Sequence, residues 1–390
     1  AARLKAGKWE KIALQFPDEL IIDSAIVSQV LKSKLGEDQQ VWILADTSYS
    51  PCCIDMIAAE HSTSAHIVHF GDACLNPVKN ICATYILGKP NVDLQKLVKT
   101  IIETLDDDDE NVCLMADACH SFLLSELKSQ LLESGWNCDN LVIASLDTSL
   151  PTKDGQDVVI IDYQSTESAQ GIRVANRILN GVEAPANNEN NEADQFNQSY
   201  DQLTQNYHLI HLTTPSDSRM LQLNTKFKCV TYIDTKSSKV SNKKTPNLMK
   251  RYKFMHEARS ASTIGILLNT LSLSNTLTLM NTLVKWIHDA GKKHYLFVVG
   301  KPNVAKLANF ECVDVWCVIG CGQNGIIIDQ FNEYWKPMIT PYELWLALAD
   351  DVQWQGNWVV DFNQVLKNDP LSIDNNDNQD DSVSYDSEED

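Results

Sequence analysis

The sequence predicts an α/β protein of three homologous small domains, each a mainly parallel four-stranded sheet flanked by helices. Three observations predict it. Short apolar runs rich in β-branched and aromatic residues alternate with helical patterns. Strands that alternate with helices imply parallel sheets, because a parallel neighbour is reached only through a long crossover. The series of strands also starts afresh twice along the 390 residues, a length suited to two or three domains.

The first series opens with Lys11-Ile-Ala-Leu-Gln-Phe16, then Pro-Asp and a helical pattern to about residue 35. A second strand covers 41–46, and a helix follows to about 60. Strands at 67–71 and 84–88 come next, then a helix over about 93–105. The second series has strands at 111–115, 141–144, 157–162 and 207–212, with helices over about 121–134 and 172–179. A polar segment rich in Asn and Glu, 183–206, reads as an insertion on a loop. After a helical stretch at 246–258, the third series has strands at 263–268, 294–299, 314–320 and 336–340. An amphipathic helix at 276–290 carries Leu279, Leu283 and Ile287 on one face. Pro337 and Pro341 bracket the last strand and make it short or an edge. The expected division is 1–108, 109–222 and 223–365, then an acidic disordered tail at 366–390.

Composition narrows the function. A hydrophobic fraction of 44% suffices for packed cores, and a formal net charge of −20 argues against nucleic acid as a partner. Acidic runs at 106–110 and 374–390 read as solvated chain. No stretch approaches the apolar length of a membrane span. No signal peptide is visible, and a start at Ala1 without Met is that of a trimmed chain. Eleven cysteines, an odd number, point to free thiols in a reducing, cytoplasmic setting.

The thiols divide into two kinds. Cys82, Cys113, Cys138, Cys229, Cys312 and Cys317 lie in or beside apolar segments and are expected in the core. Cys52, Cys53, Cys74 and Cys321 sit in loops just past the carboxyl ends of strands, where open α/β sheets bind ligands. Cys119 is intermediate. Cys74 and Cys321 each follow a third strand, whereas the corresponding place expected in the second series, 162–166, has no cysteine. The spacing fits neither a zinc ribbon nor a serial ferredoxin pattern. A site assembled from separate domains remains, and soft thiolates suit either an iron–sulfur cluster or zinc. His66, His69, His208 and His211 are expected to pack on strands. The glycines of Gly320-Cys-Gly-Gln-Asn-Gly325 lack the Lys-Ser/Thr ending of a phosphate loop. Residues 300–309 read as a turn leading into a helix.

Five stretches carry a resemblance: 45–55 with the Cys52-Cys53 pair, 69–75 (His-Phe-Gly-Asp-Ala-Cys-Leu), 249–259, 300–310, and 337–343 (Pro-Met-Ile-Thr-Pro-Tyr-Glu). Their order and content resemble the diphthamide synthase family over about residues 10 to 350. The resemblance implies three α/β domains around a cysteine-bound [4Fe-4S] cluster. It implies chemistry in which a 3-amino-3-carboxypropyl radical from S-adenosylmethionine is added to a histidine of elongation factor 2, the first step of diphthamide biosynthesis. Cys53, Cys74 and Cys321 match the cluster ligands, with Cys52 left open beside Cys53.

Two departures matter. Catalytic members supply one cysteine from each domain, and they follow the third-domain cysteine with Pro-Arg. Here the second domain offers no thiol in register, and Gly322-Gln323 follow Cys321. These losses resemble the accessory subunit of the family's heterodimers. That subunit would have no catalytic residues of its own and would help to reduce the cluster of a catalytic first subunit. The implied partners are that subunit, elongation factor 2 as protein substrate and a small electron-donor protein, with no nucleic acid and no membrane. Two alternatives stay open: a catalytic radical S-adenosylmethionine enzyme in its own right, and a non-enzymatic zinc or structural scaffold subunit.

Overall fold

The computed structural model describes residues 1–45, 50–76, 78, 81–105, 111–135, 140–146, 152–154, 158–163, 173–180, 205–299, 302–323, 325–329, 331–349, 354, 356, 358–361 and 365–366. Its strands are β1 (Lys11–Gln15), β2 (Gln40–Ile43), β3 (His66–Phe70), β4 (Cys82–Gly88), β5 (Asn111–Ala116) and β6 (Asn140–Ser145). Next come β7 (Thr152–Asp154), β8 (Val158–Tyr163), β9 (Arg173–Val174), β10 (Arg177–Asn180), β11 (His208–Leu212), β12 (Cys229–Asp234) and β13 (Lys239–Val240). The last are β14 (Thr263–Leu268), β15 (Lys293–Val298), β16 (Val315–Ile319) and β17 (Met338–Ile339).

They form three sheets, ordered β2-β1-β3-β4-β8-β7, β13-β12-β11-β5-β6-β10-β9 and β15-β14-β16-β17. Within each lies the same parallel unit, with the strands in the order second, first, third, fourth: β2-β1-β3-β4, β6-β5-β11-β12 and β15-β14-β16-β17. The predicted repeat of α/β units is therefore present. The carboxyl ends of the first and third strands of a unit lie side by side, and such edges hold the cysteine loops.

Two units share side chains as well as topology. His66-x-x-His69 on β3 faces Cys82-x-Thr84-Tyr85 on β4, and His208-x-x-His211 on β11 faces Cys229-x-Thr231-Tyr232 on β12. His66 Nε2 and His208 Nε2 each lie 2.9 Å from the threonine Oγ1 of the neighbouring strand. His69 and His211 are wholly buried, each tilted against the tyrosine of the adjacent strand. All four histidines pack on strands, as expected.

Local chemistry sets the helix ends. Asp93, Asn247 and Asn303 accept backbone N–H groups at the starts of helices Leu94–Thr104, Leu248–Ser260 and Val304–Ala308. Thr340 and Glu343 form a reciprocal capping box at Pro341–Leu348, with Pro341 at the first helical position. The largest core packs Leu248–Ser260, Thr276–Asp289 and Pro341–Leu348 against the third sheet through Ile264, Ile266, Leu283, Ile287 and Leu344. Met338–Ile339 is short and lies at a sheet edge, as its flanking prolines dictate.

Three expectations need correction. The apolar run at 157–162 does not join the second sheet. As β8 it pairs antiparallel with β4, Val158 opposite Gly88 through Tyr163 opposite Ala83, and so covers the open edge of the first sheet. The helix expected over 172–179 is instead the hairpin β9–β10, whose second strand pairs antiparallel with β6. Apolar residues at 174, 178 and 179 suit a helical period, but Ala175 and Asn176 both take positive φ, 49° and 59°, which a helix forbids. The fourth parallel strand of the second sheet is Cys229–Asp234, inside the stretch 223–365 assigned to the third unit. Its place beside β11 makes β11 the third strand. The loop in register with the cysteine loops is thus 213–216, and it too lacks a thiol.

The expected insertion lies outside the described residues through 204, and the expected tail lies outside them beyond 366.

Candidate metal centre

Gln15, at the end of β1, fixes the first cysteine loop. Its side-chain amide donates to the Cys53 carbonyl at 2.7 Å, and its oxygen accepts from Asp55 N at 3.0 Å. Asp55 in turn caps helix Met56–His61 by accepting from Ala58 N. The Cys74 loop joins directly, with Cys74 N donating to Cys52 O at 3.1 Å. The loop from the third sheet closes on itself through Gly325 N and Cys321 O at 2.7 Å, and Asn269 Nδ2 donates to Gly325 O at 2.6 Å. A Cβ at Gly320 would lie 2.4 Å from Gly325 O, and one at Gly325 would lie 2.2 Å from Cys321 N. These glycines permit a close approach of backbone to backbone, not the cradling of a phosphate.

The three loops bring together the sulfurs of Cys52, Cys53, Cys74 and Cys321, all within 4.8 Å of one another and all buried. Cys53 and Cys74 Sγ are 3.8 Å apart. The expected convergence of Cys53, Cys74 and Cys321 is present, and Cys52 stands with them. The thiols of Cys52, Cys53 and Cys74 hydrogen-bond to that of Cys321, and the Gln323 backbone N–H adds a further donor, so the Cys321 thiol is held well below the usual range. Donation to Cys321 pushes Cys52 and Cys53 up, and burial adds to this. Four desolvated thiols around one point form a soft donor set, which thiophilic metals satisfy. Sulfurs about 2.3 Å from a single tetrahedral ion would be about 3.8 Å apart, the separation of Cys53 and Cys74. A four-iron cluster would draw its thiolates from the same loops. The donor chemistry fits either group.

The other cysteines lie elsewhere. Cys113 and Cys317 are buried in the sheets, as expected, and Cys82 is half-buried. Cys229 and Cys312 are exposed, which corrects their expected core positions: one opens an edge-side strand and the other lies in the turn before β16. Cys138 is outside the described residues. Cys119 follows β5, with its N–H on Asp72 Oδ1 at 3.2 Å. Burial pushes its thiol up to about 12, and it is not among the four clustered sulfurs.

The second sheet brings polar side chains where the others bring sulfur. Gln323 is the hub. Its amide donates to Cys74 O at 3.3 Å and Ala175 O at 3.2 Å, while its Oε1 accepts from Arg219 Nη1 at 3.1 Å. Ser216 and Ser218 donate to its carbonyl. Arg219 is paired with Asp117 at 2.8 Å, and Thr213 donates to the same carboxylate. Burial opposes the Asp117 charge, but Arg219, His211 and Thr213 outweigh it and leave the carboxyl below its ordinary range. Arg177 is fully buried, with Nε on Ala116 O at 3.3 Å. Gln323 was visible in the sequence as a departure from the Pro-Arg that the resemblance implies after the third-domain cysteine. Arg219 was not, because its role depends on contacts between units.

Comparison with known proteins bears on this arrangement. The family described as "Putative diphthamide synthesis protein" matches residues 16–359. The chain is 46% identical over 373 residues to 2-(3-amino-3-carboxypropyl)histidine synthase subunit 2-2 of Candida albicans, covering 92% of this chain and 64% of the relative. It is 43% identical over 392 residues to subunit 2 of that synthase from Eremothecium gossypii, covering 92% and 65%. The chain thus spans just under two thirds of the length of these relatives. A crystal structure of Dph2 from Pyrococcus horikoshii with a 4Fe-4S cluster shares the fold, with TM-score 0.62, 16% identity and coverage of 89% of this chain and 88% of that one. A second structure of Dph2 from Pyrococcus horikoshii gives TM-score 0.63 at 16% identity, with coverage of 92% and 91%. Among the described residues no helix is long and apolar enough to cross a membrane.

Proposed function

The chain belongs to the diphthamide synthesis family, and from that premise we propose that it is the iron–sulfur subunit of a heterodimeric 3-amino-3-carboxypropyl transferase. The partner subunit transfers this group from S-adenosylmethionine to a histidine of elongation factor 2, and the present chain helps to keep the partner's cluster reduced. The observation that carries the reading is the group of four buried thiols at the meeting of three loops. Cys53, Cys74 and Cys321 are the proposed ligands of a [4Fe-4S] group, with Cys52 within the same reach. Such a group supplies one-electron chemistry, with a potential set by charge, hydrogen bonds to sulfur and exposure.

The chain's own residues support an accessory role over a catalytic one. The second sheet offers Thr213 and Ser216 at the register of the cysteine loops, not sulfur. Gln323, a neutral amide, stands after Cys321 where catalytic relatives carry a cation, and it is already engaged with Cys74, Ala175 and Arg219. This reading includes a small electron-donor protein as a further partner, a cytoplasmic setting, and no role for nucleic acid or membrane. The three-part division near residues 108 and 222 belongs to it as well, subject to the strand exchanges described above.

A second reading, a structural zinc site, is favoured by one observation: the Cys53 and Cys74 sulfurs lie 3.8 Å apart, the edge of a single-ion tetrahedron. Anaerobic purification separates the two. Iron with matching sulfide supports the first reading, and one zinc per chain without iron supports the second.

The reductive role is tested with Cys53→Ala in the heterodimer, at matched iron content of the partner. Product formation should fail with the physiological reductant and return with dithionite, which reduces the partner directly. Equal loss with both reductants would overturn the relay role.

A further inference from the structure

We propose that Asn76 is a positioning residue whose amide, aimed by Asn176, donates to the Cys321 sulfur and so makes the group held by the thiols easier to reduce. This rests on the reading that these thiols hold an iron–sulfur group.

Asn76 lies two residues after Cys74, and its Nδ2 is 3.0 Å from Cys321 Sγ. Which end of an amide faces a neighbour is decided by the network around it. Here Asn176 Nδ2 donates to Asn76 Oδ1, so the nitrogen of Asn76 is turned toward sulfur. The same Asn176 nitrogen also donates to Cys74 O at 2.9 Å. One side chain thus holds both the loop that carries Cys74 and the donor that meets Cys321.

Asn176 reaches this place because of a two-residue turn. Ala175 and Asn176 join β9 to β10 with both φ angles positive, the pattern of a type I′ hairpin. Asn accepts that conformation readily, whereas Ala does so at a steric cost. Strain of this kind persists where the surroundings over-determine it. Gln323 Nε2 holds Ala175 O at 3.2 Å, and Arg177 Nη1 holds Asn176 O at 3.2 Å from a fully buried guanidinium. The second sheet, which contributes no sulfur, thereby controls the electronic surroundings of one.

An N–H donor withdraws charge from a thiolate and favours the reduced form of the metal group behind it. At Cys321 the Asn76 amide, at 3.0 Å, is the nearer of two amide donors, and the Gln323 backbone N–H lies at 3.4 Å. A purely structural Asn76 would tie loops together without altering a potential, and the test turns on that difference.

The full chain is reconstituted anaerobically with iron and sulfide and titrated at poised potentials, read by visible absorption and EPR. Asn76→Ala should lower the reduced-to-oxidised ratio about tenfold at a fixed poise, equivalent to about 59 mV for a one-electron couple. Asn176→Ala should move it the same way by less, because the Asn76 amide is then free to turn. Asn76→Ser, which keeps a donor, should fall between wild type and Asn76→Ala. An unchanged ratio in Asn76→Ala at full iron content would overturn the proposal. Should that variant hold less iron, Asn176→Ala decides, and no shift there would overturn it equally. Cobalt(II) loading covers failure of the iron–sulfur reading itself. If the wild-type chain takes no iron, Asn76→Ala must move the thiolate-to-cobalt charge-transfer band to lower energy, and an unmoved band refutes the hydrogen bond's role.

Discussion

Arg251 and Glu343 meet in a buried bidentate ion pair, with Nε–Oε1 at 2.8 Å, Nη2–Oε2 at 2.5 Å and each side chain 3% exposed. The carboxylate also accepts from Trp358 Nε1 at 2.9 Å and Thr340 N at 2.7 Å. It therefore joins helix Leu248–Ser260 to the start of helix Pro341–Leu348 and to the chain near 358. Two of the stretches that carry the family resemblance, 249–259 and 337–343, are the two halves of this contact.

Removing one partner strands a buried charge. Glu343→Gln or Arg251→Met should each destabilise the fold by about 3–5 kcal/mol, measured by urea unfolding. The double variant Arg251→Met/Glu343→Leu should recover a substantial part of that loss, because neither charge is then left unpaired. Additive losses in the double variant would refute the coupling.

Stability should fall as pH drops through the window between about 6.5 and 4. Burial lowers His66 and His69 to about 4 and His211 to about 3, so the fold excludes protons that the unfolded chain accepts near 6.5. The unfolded state binds more protons in this window, and the stability present above it is lost on acidification. Each such histidine contributes about 1.4 kcal/mol per pH unit there. His69→Phe should flatten the slope of unfolding free energy between pH 6 and 5 by about one proton. An unaltered slope would count against a buried neutral His69.

Alanine at Gly320 or Gly325 should open the Cys321 loop, since either Cβ would meet backbone across it. We expect a loss of about 1–3 kcal/mol from the strain, with bound metal reduced in anaerobically prepared protein. Gly88→Ala is the control, because a Cβ there would meet nothing within 4 Å and metal content should not change. Full metal retention in Gly325→Ala would show that the loop tolerates a different closure.

Serine at Cys52, Cys53, Cys74 or Cys321 should lower metal per chain, while Cys229→Ser, on the surface, should leave it unchanged. Metal analysis with circular dichroism on the same samples separates lost ligation from lost fold. Undiminished metal in Cys52→Ser alone would assign the site to the other three sulfurs.

Much of this architecture was legible along the chain. Apolar runs such as Val112–Ala116 in β5 and the Ile264–Leu268 portion of β14 are buried on both faces of parallel sheets, so they stand out as continuous stretches bounded by turn residues. The cysteine loops could be placed because Cys74 and Cys321 directly follow such runs.

Pairing was not legible in the same way. An apolar strand carries no mark of which sheet edge it will cover, so Val158–Tyr163 could be recognised as a strand but not assigned to β4. The hairpin at 173–180 was hidden because four apolar residues in eight suit more than one period, and only the positive φ of Ala175 and Asn176 separates turn from helix.

The sequence by itself determined that three α/β units recur, that thiols stand at strand ends, and that the second unit has none in register. The tertiary structure decided that Cys52 joins the other three sulfurs, and that Asn76, Asn176, Arg219 and Gln323 surround them. The physical reason is range. Strand and helix patterns arise from neighbours a few residues apart, whereas the Asn76–Cys321 and Arg219–Gln323 contacts span 245 and 104 residues and exist only once the loops of all three sheets meet.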